Sequence, residues 1–359
     1  MVEALSEARR GLGRTHPNPC VGAVVVKDGQ VVGRGHHAQA GAPHAEVVAL
    51  SQAGALARGA DLYSTLEPCD HWGRTPPCSR AILDAGVARV VAASTDPNPL
   101  VNGKGISRLR EAGVRVWTGV LQAEADALNR PFFKAMRTGL PFVTLKAAVT
   151  LDGKLATATG DSHWVSSQEA RADVHRLRSR VDAVLVGAGT VRTDDPQLTS
   201  RLAAGEGRNP LRVVLDTDGK LSASARVLSQ PDPHRTVVVC AQDAVADVAA
   251  RLSSTGARVW GVPPGPGGLD VTAALRRLVE EGALDVLVEG GAKLFTSLVA
   301  ARLPDALVLY LAPKLLGADG LSWLGSLGLA RMDDAVQVAV ERVTEVGGDV
   351  RVQARFLWR

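Results

Sequence analysis

The chain has 359 residues, 46% of them hydrophobic and 22% charged, a globular composition that excludes global disorder and favours about two domains. Lys and Arg number 41 against 37 Asp and Glu, and the resulting net charge of +4 argues against a nucleic-acid partner. The longest apolar stretch, residues 298–316, is interrupted by Arg302, Asp305 and Lys314, and no secretory signal precedes the first strand. We therefore expect no membrane partner and a cytoplasmic location.

Short β-branched runs alternate with helical stretches, which predicts α/β layers with largely parallel sheets. The predicted strands are 21–27, 60–64, 87–93, 114–118, 142–147, 183–186, 211–215, 236–240, 286–288 and 307–311. The predicted helices are 44–53, 79–85, 107–112, 123–136, 167–179, 271–281 and 292–301. The turn at 138–141 divides the chain, so we predict domains at 1–140 and 141–359.

The strongest chemical signal lies in the first half, where His44-Ala45-Glu46 is followed by Pro68-Cys69 and then by Cys78. One imidazole and two thiolates supply three zinc ligands and leave the fourth position of a catalytic site open for water. Glu46 stands two residues after His44, close enough to carry protons without binding the metal. The pattern matches the H-x-E…P-C part of the zinc deaminase signature, although eight residues rather than two separate the cysteines.

A structural zinc site is the alternative. A closed site needs a fourth ligand, and His71 is the only nearby candidate. Glu46 discriminates between the two hypotheses, because a structural site has no use for that carboxylate. Four cysteines in a chain of this length do not form a disulfide framework.

Several motifs of the first half are similar to those of the bifunctional riboflavin biosynthesis deaminase/reductase family. They are THPNP at 15–19, VGAVV at 21–25, GAPHAE at 41–46, LEPCDHWGRTPPC at 66–78 and DPNP at 96–99. The resemblance implies a cytidine-deaminase-like α/β/α domain that hydrolytically deaminates a diaminopyrimidinone ribosylamine 5′-phosphate. It implies zinc on His44, Cys69 and Cys78, with Glu46 as the catalytic residue.

The same resemblance assigns the substrate contacts of the first domain. Asn18 and Asn98 contact the base or ribose, Arg74 faces the phosphate, and His37 and His71 also match family positions. A guanidinium suits a phosphate because it can donate two parallel hydrogen bonds. The simpler interpretation of both asparagines is that Pro-Asn-Pro forms a turn.

The second half carries two glycine-rich turns after strands, at 187–192 and 289–292. Such turns before helices expose backbone N–H groups to phosphate, although plain structural turns explain the residues equally well. Here LKAA at 145–148, LDGK at 151–154, SHW at 162–164 and VEGG at 288–291 resemble the reductase half of the same family. The resemblance implies a dihydrofolate-reductase-like α/β fold that uses NADPH to reduce the ribosyl side chain to ribityl.

The cofactor positions implied by that resemblance are Ala148, Trp164, Thr190, Asp194, Gly291, Ala292, Lys293, Leu294, Phe295, Thr296 and Ser297. The implied substrate positions are Lys146, Ser162, Arg178, Leu198, Arg201 and Glu289. The expected partner is thus a phosphorylated pyrimidine ribosylamine, and we expect a homo-oligomer, either dimer or tetramer. The alternatives are a nucleotide or tRNA deaminase with an accessory C-terminal domain, and a zinc-stabilised binding module.

Overall fold

The computed structural model describes residues 1–73, 76–99, 101–202 and 207–358. The chain forms two compact units, Met1–Leu140 and Pro141–Arg359. Among the helices of the described residues, none is both long and apolar enough to cross a membrane.

The first unit alternates strands and helices. Its elements are α1 (Val2–Arg9), β1 (Gly22–Lys27), β2 (Gln30–His36), α2 (Ala45–Ala53), β3 (Asp61–Leu66), α3 (Cys78–Asp84), β4 (Arg89–Ser94), α4 (Lys104–Glu111), β5 (Arg115–Thr118), α5 (Gln122–Leu128) and α6 (Arg130–Thr138). Its strands pair in the order β2-β1-β3-β4-β5.

Helices cover both faces of this sheet, and glycines mark where they approach most closely. A Cβ at Gly22 would lie 2.0 Å from the carbonyl oxygen of Ala4 in α1, and one at Gly35 would lie 2.3 Å from that of Ala45 in α2. Gly35 pairs with Ala23, the neighbour of Gly22, so the two glycines face opposite sides of the sheet. The unit is therefore an α/β/α sandwich, as predicted.

The second unit contains the larger sheet. Its elements are β6 (Phe142–Thr150), β7 (Lys154–Ala156), α7 (Gln168–Arg178), β8 (Ala183–Gly187), α8 (Ala188–Asp194), β9 (Leu211–Leu215), β10 (Thr236–Ala241), α9 (Val245–Leu252), β11 (Arg258–Val262), β12 (Pro264–Gly265), β13 (Gly268–Leu269), α10 (Val271–Glu280), β14 (Asp285–Glu289), α11 (Ala292–Ala300), β15 (Ala306–Ala312), β16 (Leu321–Ser322), β17 (Val338–Val346) and β18 (Asp349–Phe356).

The described strands of the large sheet follow the order β11-β10-β9-β8-β14-β6-β15-β18-β17. The pairs from β11 to β15 are parallel, and β18 and β17 continue the sheet in antiparallel pairing. Gly347 and Gly348, with φ of 60° and 85°, form the two-residue turn between β17 and β18. That turn needs positive φ at both positions, which glycine supplies without strain.

Most of the α/β pattern was predicted correctly, and two predictions were wrong. The first sheet is mixed rather than largely parallel, because β1 pairs antiparallel with both β2 and β3. The single helix predicted over 123–136 is broken at Asn129 into α5 and α6. The buried Asn129 side chain accepts from the backbone N–H of Cys20 at 2.7 Å and donates to its carbonyl at 3.0 Å, and so joins two distant segments.

Candidate active sites

The three predicted zinc ligands meet because three elements end or begin at one point. His44 is the N-cap residue of α2, Cys78 is the first residue of α3, and Cys69 follows the end of β3. The Nδ1 atom of His44 lies 3.1 Å from the Sγ atom of Cys78 and 3.6 Å from that of Cys69. The ligand atoms of all three residues lie within 4.8 Å of one another.

These distances fit zinc. Ligand atoms about 2.0–2.3 Å from one tetrahedral ion are themselves roughly 3.5 Å apart. The pKa of the Cys69 thiol is lowered to about 4, first by its hydrogen bond with Cys78 and also by His44, which favours the thiolate that binds metal. His71 is not a member of the cluster formed by the described residues, so those residues leave one coordination position open.

Glu46 lies in the first turn of α2 and faces this cluster without belonging to it. The carboxylate is only 3% exposed, and its Oε2 atom accepts a hydrogen bond from the Cys78 thiol at 3.6 Å. Its Oε1 atom accepts from the hydroxyl of Ser64 at 3.3 Å. Burial, and next the charge of Cys69, raise the pKa of Glu46, so this carboxyl group is suited to holding a proton.

A cavity of about 380 Å³ opens beside the cluster and is lined by the predicted substrate residues Asn18 and Asn98. The Asn18 amide contacts the ring of His37 at 3.1 Å, and the other ring nitrogen of His37 contacts the Pro43 carbonyl at 3.2 Å. His37 and His71 both line the cavity. Arg74 lies outside the described residues.

Two further carboxylates of this cavity, Glu67 and Asp96, were not predicted. Glu67 is 3% exposed and accepts hydrogen bonds from the backbone N–H groups of Asp96 at 3.3 Å, Gly103 at 3.0 Å and Ile106 at 3.4 Å. Asp96 in turn accepts from the N–H of Asn98 at 2.8 Å. Glu67 therefore holds the segment that presents Asn98 and supplies the N-terminal cap that α4 otherwise lacks. Its position directly before Pro68-Cys69 was the only available sequence signal.

The second unit has a larger cavity, about 970 Å³, at the carboxyl ends of its parallel strands. Ala148, Gly187, Leu215 and Glu289 line it from β6, β8, β9 and β14. Ligands of open parallel sheets bind at this edge. The volume is at the upper end of the range for small-molecule sites, large enough for a cofactor and a substrate together.

A buried ion cluster forms one part of this cavity. Arg178 donates from Nε to Glu289 Oε1 at 2.6 Å and from Nη2 to Oε2 at 2.9 Å, and Lys146 Nζ lies 3.9 Å from the same carboxylate. Burial lowers the pKa of Lys146, an effect that Glu289 opposes. Burial acts to raise the pKa of Glu289, but the charges and hydrogen bonds of Arg178 lower it overall. Glu289 is thus ionised and anchored between two basic side chains.

The glycine turns leave room for a dinucleotide. A Cβ at Gly187 or at Gly189 would meet no atom within 4 Å, and both residues line the cavity. Gly290 and Gly291 have φ of 100° and 86°, and a Cβ on either would lie 3.1–3.3 Å from Thr190 Oγ1. Gly291 is also the N-cap residue of the nine-residue helix α11, whose free N–H groups favour phosphate. The residues present therefore fit NADPH.

With one exception, the predicted cofactor and substrate residues of the second unit line this cavity. Thr296 does not, because its hydroxyl donates to the carbonyl of Ala292 at 2.6 Å and accepts from the N–H of Gly325 at 2.8 Å. Lining residues that were not predicted include His175, Thr217, Asp218, Arg226, Pro266 and Gly267. Thr217 and Asp218 come just after β9, in the same way as the two glycine turns come after β8 and β14. This position at the end of a parallel strand could have indicated from the sequence that they lie at the cavity.

Fold and site together define the class of protein: a zinc-dependent deaminase of the cytidine deaminase type joined to an NADPH-dependent reductase. Family models support both halves. Residues 1–94 match the cytidine and deoxycytidylate deaminase zinc-binding region, and residues 141–352 match the RibD C-terminal domain. The second match argues against the alternative in which the C-terminal part is merely accessory.

Full-length relatives give the particular family. The chain is 45% identical to the riboflavin biosynthesis protein RibD of Aquifex aeolicus over 350 residues, which cover 98% of this chain and 96% of the relative. The structure of Acinetobacter baumannii RibD superposes with a TM-score of 0.90 at 38% identity and covers 99% of this chain and 98% of that one. A Thermotoga maritima structure, described as a diaminohydroxyphosphoribosylaminopyrimidine deaminase/5-amino-6-(5-phosphoribosylamino)uracil reductase, gives a TM-score of 0.87 at 38% identity, covering 99% of this chain and 97% of that one. The chain belongs to the RibD family of bifunctional deaminase/reductases of riboflavin biosynthesis.

Proposed function

We propose that the first unit deaminates 2,5-diamino-6-ribosylamino-4(3H)-pyrimidinone 5′-phosphate and that the second unit reduces the ribosyl side chain of the product to ribityl. The name of the Thermotoga maritima protein supports this substrate assignment. The His–Cys–Cys cluster lies in the first unit and the glycine-lined cavity lies in the second, which supports this division of labour.

In the deaminase step Glu46 is the proton carrier. It takes a proton from the attacking water and delivers it to the amino nitrogen that leaves as ammonia. Bound zinc on His44, Cys69 and Cys78 supplies a Lewis acid that makes water nucleophilic near neutral pH. Asn18 and Asn98 orient the pyrimidine and ribose in the cavity, and Arg74 contacts the phosphate.

The observation that carries the deaminase assignment is the buried Glu46 carboxylate, which faces the ligand cluster but is not needed as a ligand. The test is Glu46→Gln in the full-length protein, which removes the proton carrier and keeps the shape. We expect one zinc per chain by metal analysis, a loss of ammonia release of about 10²–10⁴-fold and unchanged NADPH oxidation with the deaminated substrate. Full ammonia release by Glu46→Gln would disprove the role of Glu46, and loss of zinc would show that it is a ligand.

In the reductase step NADPH supplies the hydride that reduces the ring-opened form of the ribosylamine. Glu289 and Lys146 hold sugar hydroxyls, and Arg178 and Arg201 hold the phosphate, with Ser162 and Leu198 completing the substrate site. The cofactor is held by Ala148, Trp164, Thr190, Asp194 and the start of α11. Burial raises the pKa of Asp194, so this group is better able to hold a proton for the reduced product than the ionised Glu289.

We also propose a homo-oligomer formed through the C-terminal hairpin. Val338, Val340 and Val343 of β17 are 40–60% exposed, and their pairing with Phe356, Ala354 and Val352 places them on one face of the sheet. Exposed neighbouring valines of this kind are typical of an interface. Sedimentation velocity should give a dimer or tetramer for the native chain, and Val340→Asp should reduce the assembly. A native monomer at micromolar concentration would contradict this proposal.

We place the enzyme in the cytoplasm, because Cys69 and Cys78 bind zinc only as reduced thiolates and that compartment keeps thiols reduced. Cell fractionation with an antibody to the chain tests this location.

A further inference from the structure

The phosphate end of the reductase cavity has too little free positive charge if only Arg178 and Arg201 serve it. The bidentate hydrogen bonds from Arg178 to Glu289 neutralise its charge, and its remaining Nη1 group donates to the carbonyl of Thr199 at 3.1 Å. His175 adds little, because burial, with the charges of Arg178 and Arg201, lowers its pKa. A phosphomonoester carries close to two negative charges at pH 7, and Arg201 supplies only one positive charge.

Arg226 is a further cation of this cavity. Of the other lining cations, Arg192 lies 3.7 Å from the carboxylate of Asp218 and Arg171 stacks over the ring of Trp164. Arg226 lies in the connection between β9 and β10, and its backbone N–H donates to the Asp195 carboxylate at 2.8 Å. Asp195 follows α8 directly, and Pro196, Gln197, Leu198 and Arg201 continue the cavity wall from it. This hydrogen bond fixes the backbone of Arg226 against the segment that carries Arg201. Within the part of the chain that the structure describes, the Arg226 side chain is exposed and forms no ion pair.

Arg201, like Arg226, is a cation without a carboxylate partner among the described residues. Its Nε atom donates to the imidazole of His175 at 3.2 Å, a neutral acceptor. Burial lowers the pKa of Arg201, and the charges of Arg178 and Arg226 lower it further. Both guanidinium groups line the same cavity, and the charge of Arg226 acts on Arg201, so an anion bound in this part of the cavity would be attracted by both.

We propose that Arg226 is a specificity-determining residue of the reductase, and that it holds the phosphate of the pyrimidine substrate together with Arg201. This inference rests on the proposed function and adds a residue to it. Arg201 and Arg226 together match the two charges of the phosphate, and Arg178 adds hydrogen-bond donors to it although Glu289 neutralises the charge of Arg178. The position of Arg226 beside Arg201 favours the substrate phosphate over the 2′-phosphate of NADPH.

The test compares Arg226→Ala and Arg226→Lys with the native chain in steady-state reduction. The substrates are the deaminated pyrimidine ribosylamine 5′-phosphate and the same compound without its phosphate. For Arg226→Ala we expect the KM for the phosphorylated substrate to rise tenfold or more, with kcat within about twofold, because one charge-assisted hydrogen-bonding group is lost. Arg226→Lys should recover part of the loss, since it keeps the charge but not the planar fork.

Three further measurements assign the effect. The KM for the dephosphorylated substrate and the KM for NADPH should not change, and inhibition by inorganic phosphate should weaken in Arg226→Ala. Arg331→Ala, which removes a charge whose side chain is 75% exposed and pairs with Asp333, is the matched control and should behave as the native chain does.

Several results would overturn the proposal. An equal rise in KM for the dephosphorylated substrate would show a structural role, and a rise in the KM for NADPH alone would place Arg226 at the cofactor phosphate. An unchanged KM for the phosphorylated substrate would exclude any contact. Failure of the proposed function is a separate result, because the native chain would then reduce neither substrate.

Discussion

The buried ion pair between Arg178 and Glu289 allows a quantitative prediction for Glu289→Gln. The side chains of Arg178 and Glu289 are 12% and 9% exposed, so removal of the carboxylate charge leaves a guanidinium largely without solvent. Breaking such a pair costs about 3–5 kcal/mol. The amide oxygen of glutamine and the carbonyl of Thr199 still accept hydrogen bonds from Arg178, so we expect the lower end, about 3 kcal/mol of unfolding free energy.

The effect should depend on pH through Lys146. Without Glu289 the pKa of this buried amine falls further below its value in the unfolded chain. Between those two values the unfolded state binds more protons, so the stability of the variant rises with pH. The deficit of Glu289→Gln relative to the native chain should therefore be smaller at pH 9 than at pH 7.

Urea unfolding followed by tryptophan fluorescence measures this difference, because Trp260 is buried in the second unit and becomes exposed when that unit unfolds. Glu281→Gln is the matched control, because Glu281 pairs with Arg258 at 2.7 Å but both side chains are 37% exposed. An exposed pair contributes less than about 1 kcal/mol. The reasoning from burial is refuted if the two variants lose the same unfolding free energy. Reductase assays of Glu289→Gln should in addition show weaker substrate binding, with the KM for NADPH little changed.

Three other substitutions test separate features. Cys78→Ser should lower zinc content and abolish ammonia release while NADPH oxidation persists; full zinc occupancy by metal analysis would exclude Cys78 as a ligand. Gly291→Val should raise the KM for NADPH at least tenfold, because the added side chain would crowd Thr190 at the N-terminus of α11. Gly282→Val is the control for backbone strain, because Gly282 has a similar φ of 80°. If the two variants have the same KM for NADPH, the turn at Gly291 is purely structural. Asp173→Asn should lower the unfolding free energy by about 3–5 kcal/mol at pH 7, because Asp173 accepts from the Tyr310 hydroxyl at 2.7 Å and from Arg351 at 2.6 Å. Burial acts to raise the pKa of Asp173, but these hydrogen bonds and the charge of Arg351 lower it overall. The loss of unfolding free energy in Asp173→Asn should therefore shrink as the pH falls below about 4, where the native carboxylate becomes protonated. A loss that does not depend on pH would contradict this.

The metal centre could be predicted from sequence because its chemistry restricts the residue types. Histidine, cysteine and a nearby glutamate in this order have few other uses, and each ligand falls at the end of a strongly patterned element. The parallel strands of the second unit were predicted for a similar reason, since their buried β-branched runs need no knowledge of partners.

What the sequence did not predict depends on contacts between distant segments. The strands β17 and β18 are largely polar outside their valines, and their place in the sheet follows from pairing with β15. The break at Asn129 exists because its amide bonds to Cys20, 109 residues away. Glu67 and Arg226 belong to no sequence motif that would reveal a role. Glu67 becomes recognisable only when the fold brings backbone N–H groups to its carboxylate, and Arg226 only when it lines the same cavity as Arg201.

The support of Cys69 has a consequence for metal exchange. A Cβ at Gly105 in α4 would lie 1.7 Å from the carbonyl oxygen of Pro68, so the backbone before Cys69 rests directly against that helix, and Glu67 ties the same strand end to the start of α4. Cys78 and His44 are set by the starts of their own helices. The free energy of zinc binding is therefore not needed to fold the segments that carry the ligands, whereas in a zinc finger it drives folding. A chain stripped of zinc by a chelator would keep its fold and bind the ion again without refolding. Its zinc content would therefore depend on the zinc available at that moment and not on whether zinc was present when the chain folded.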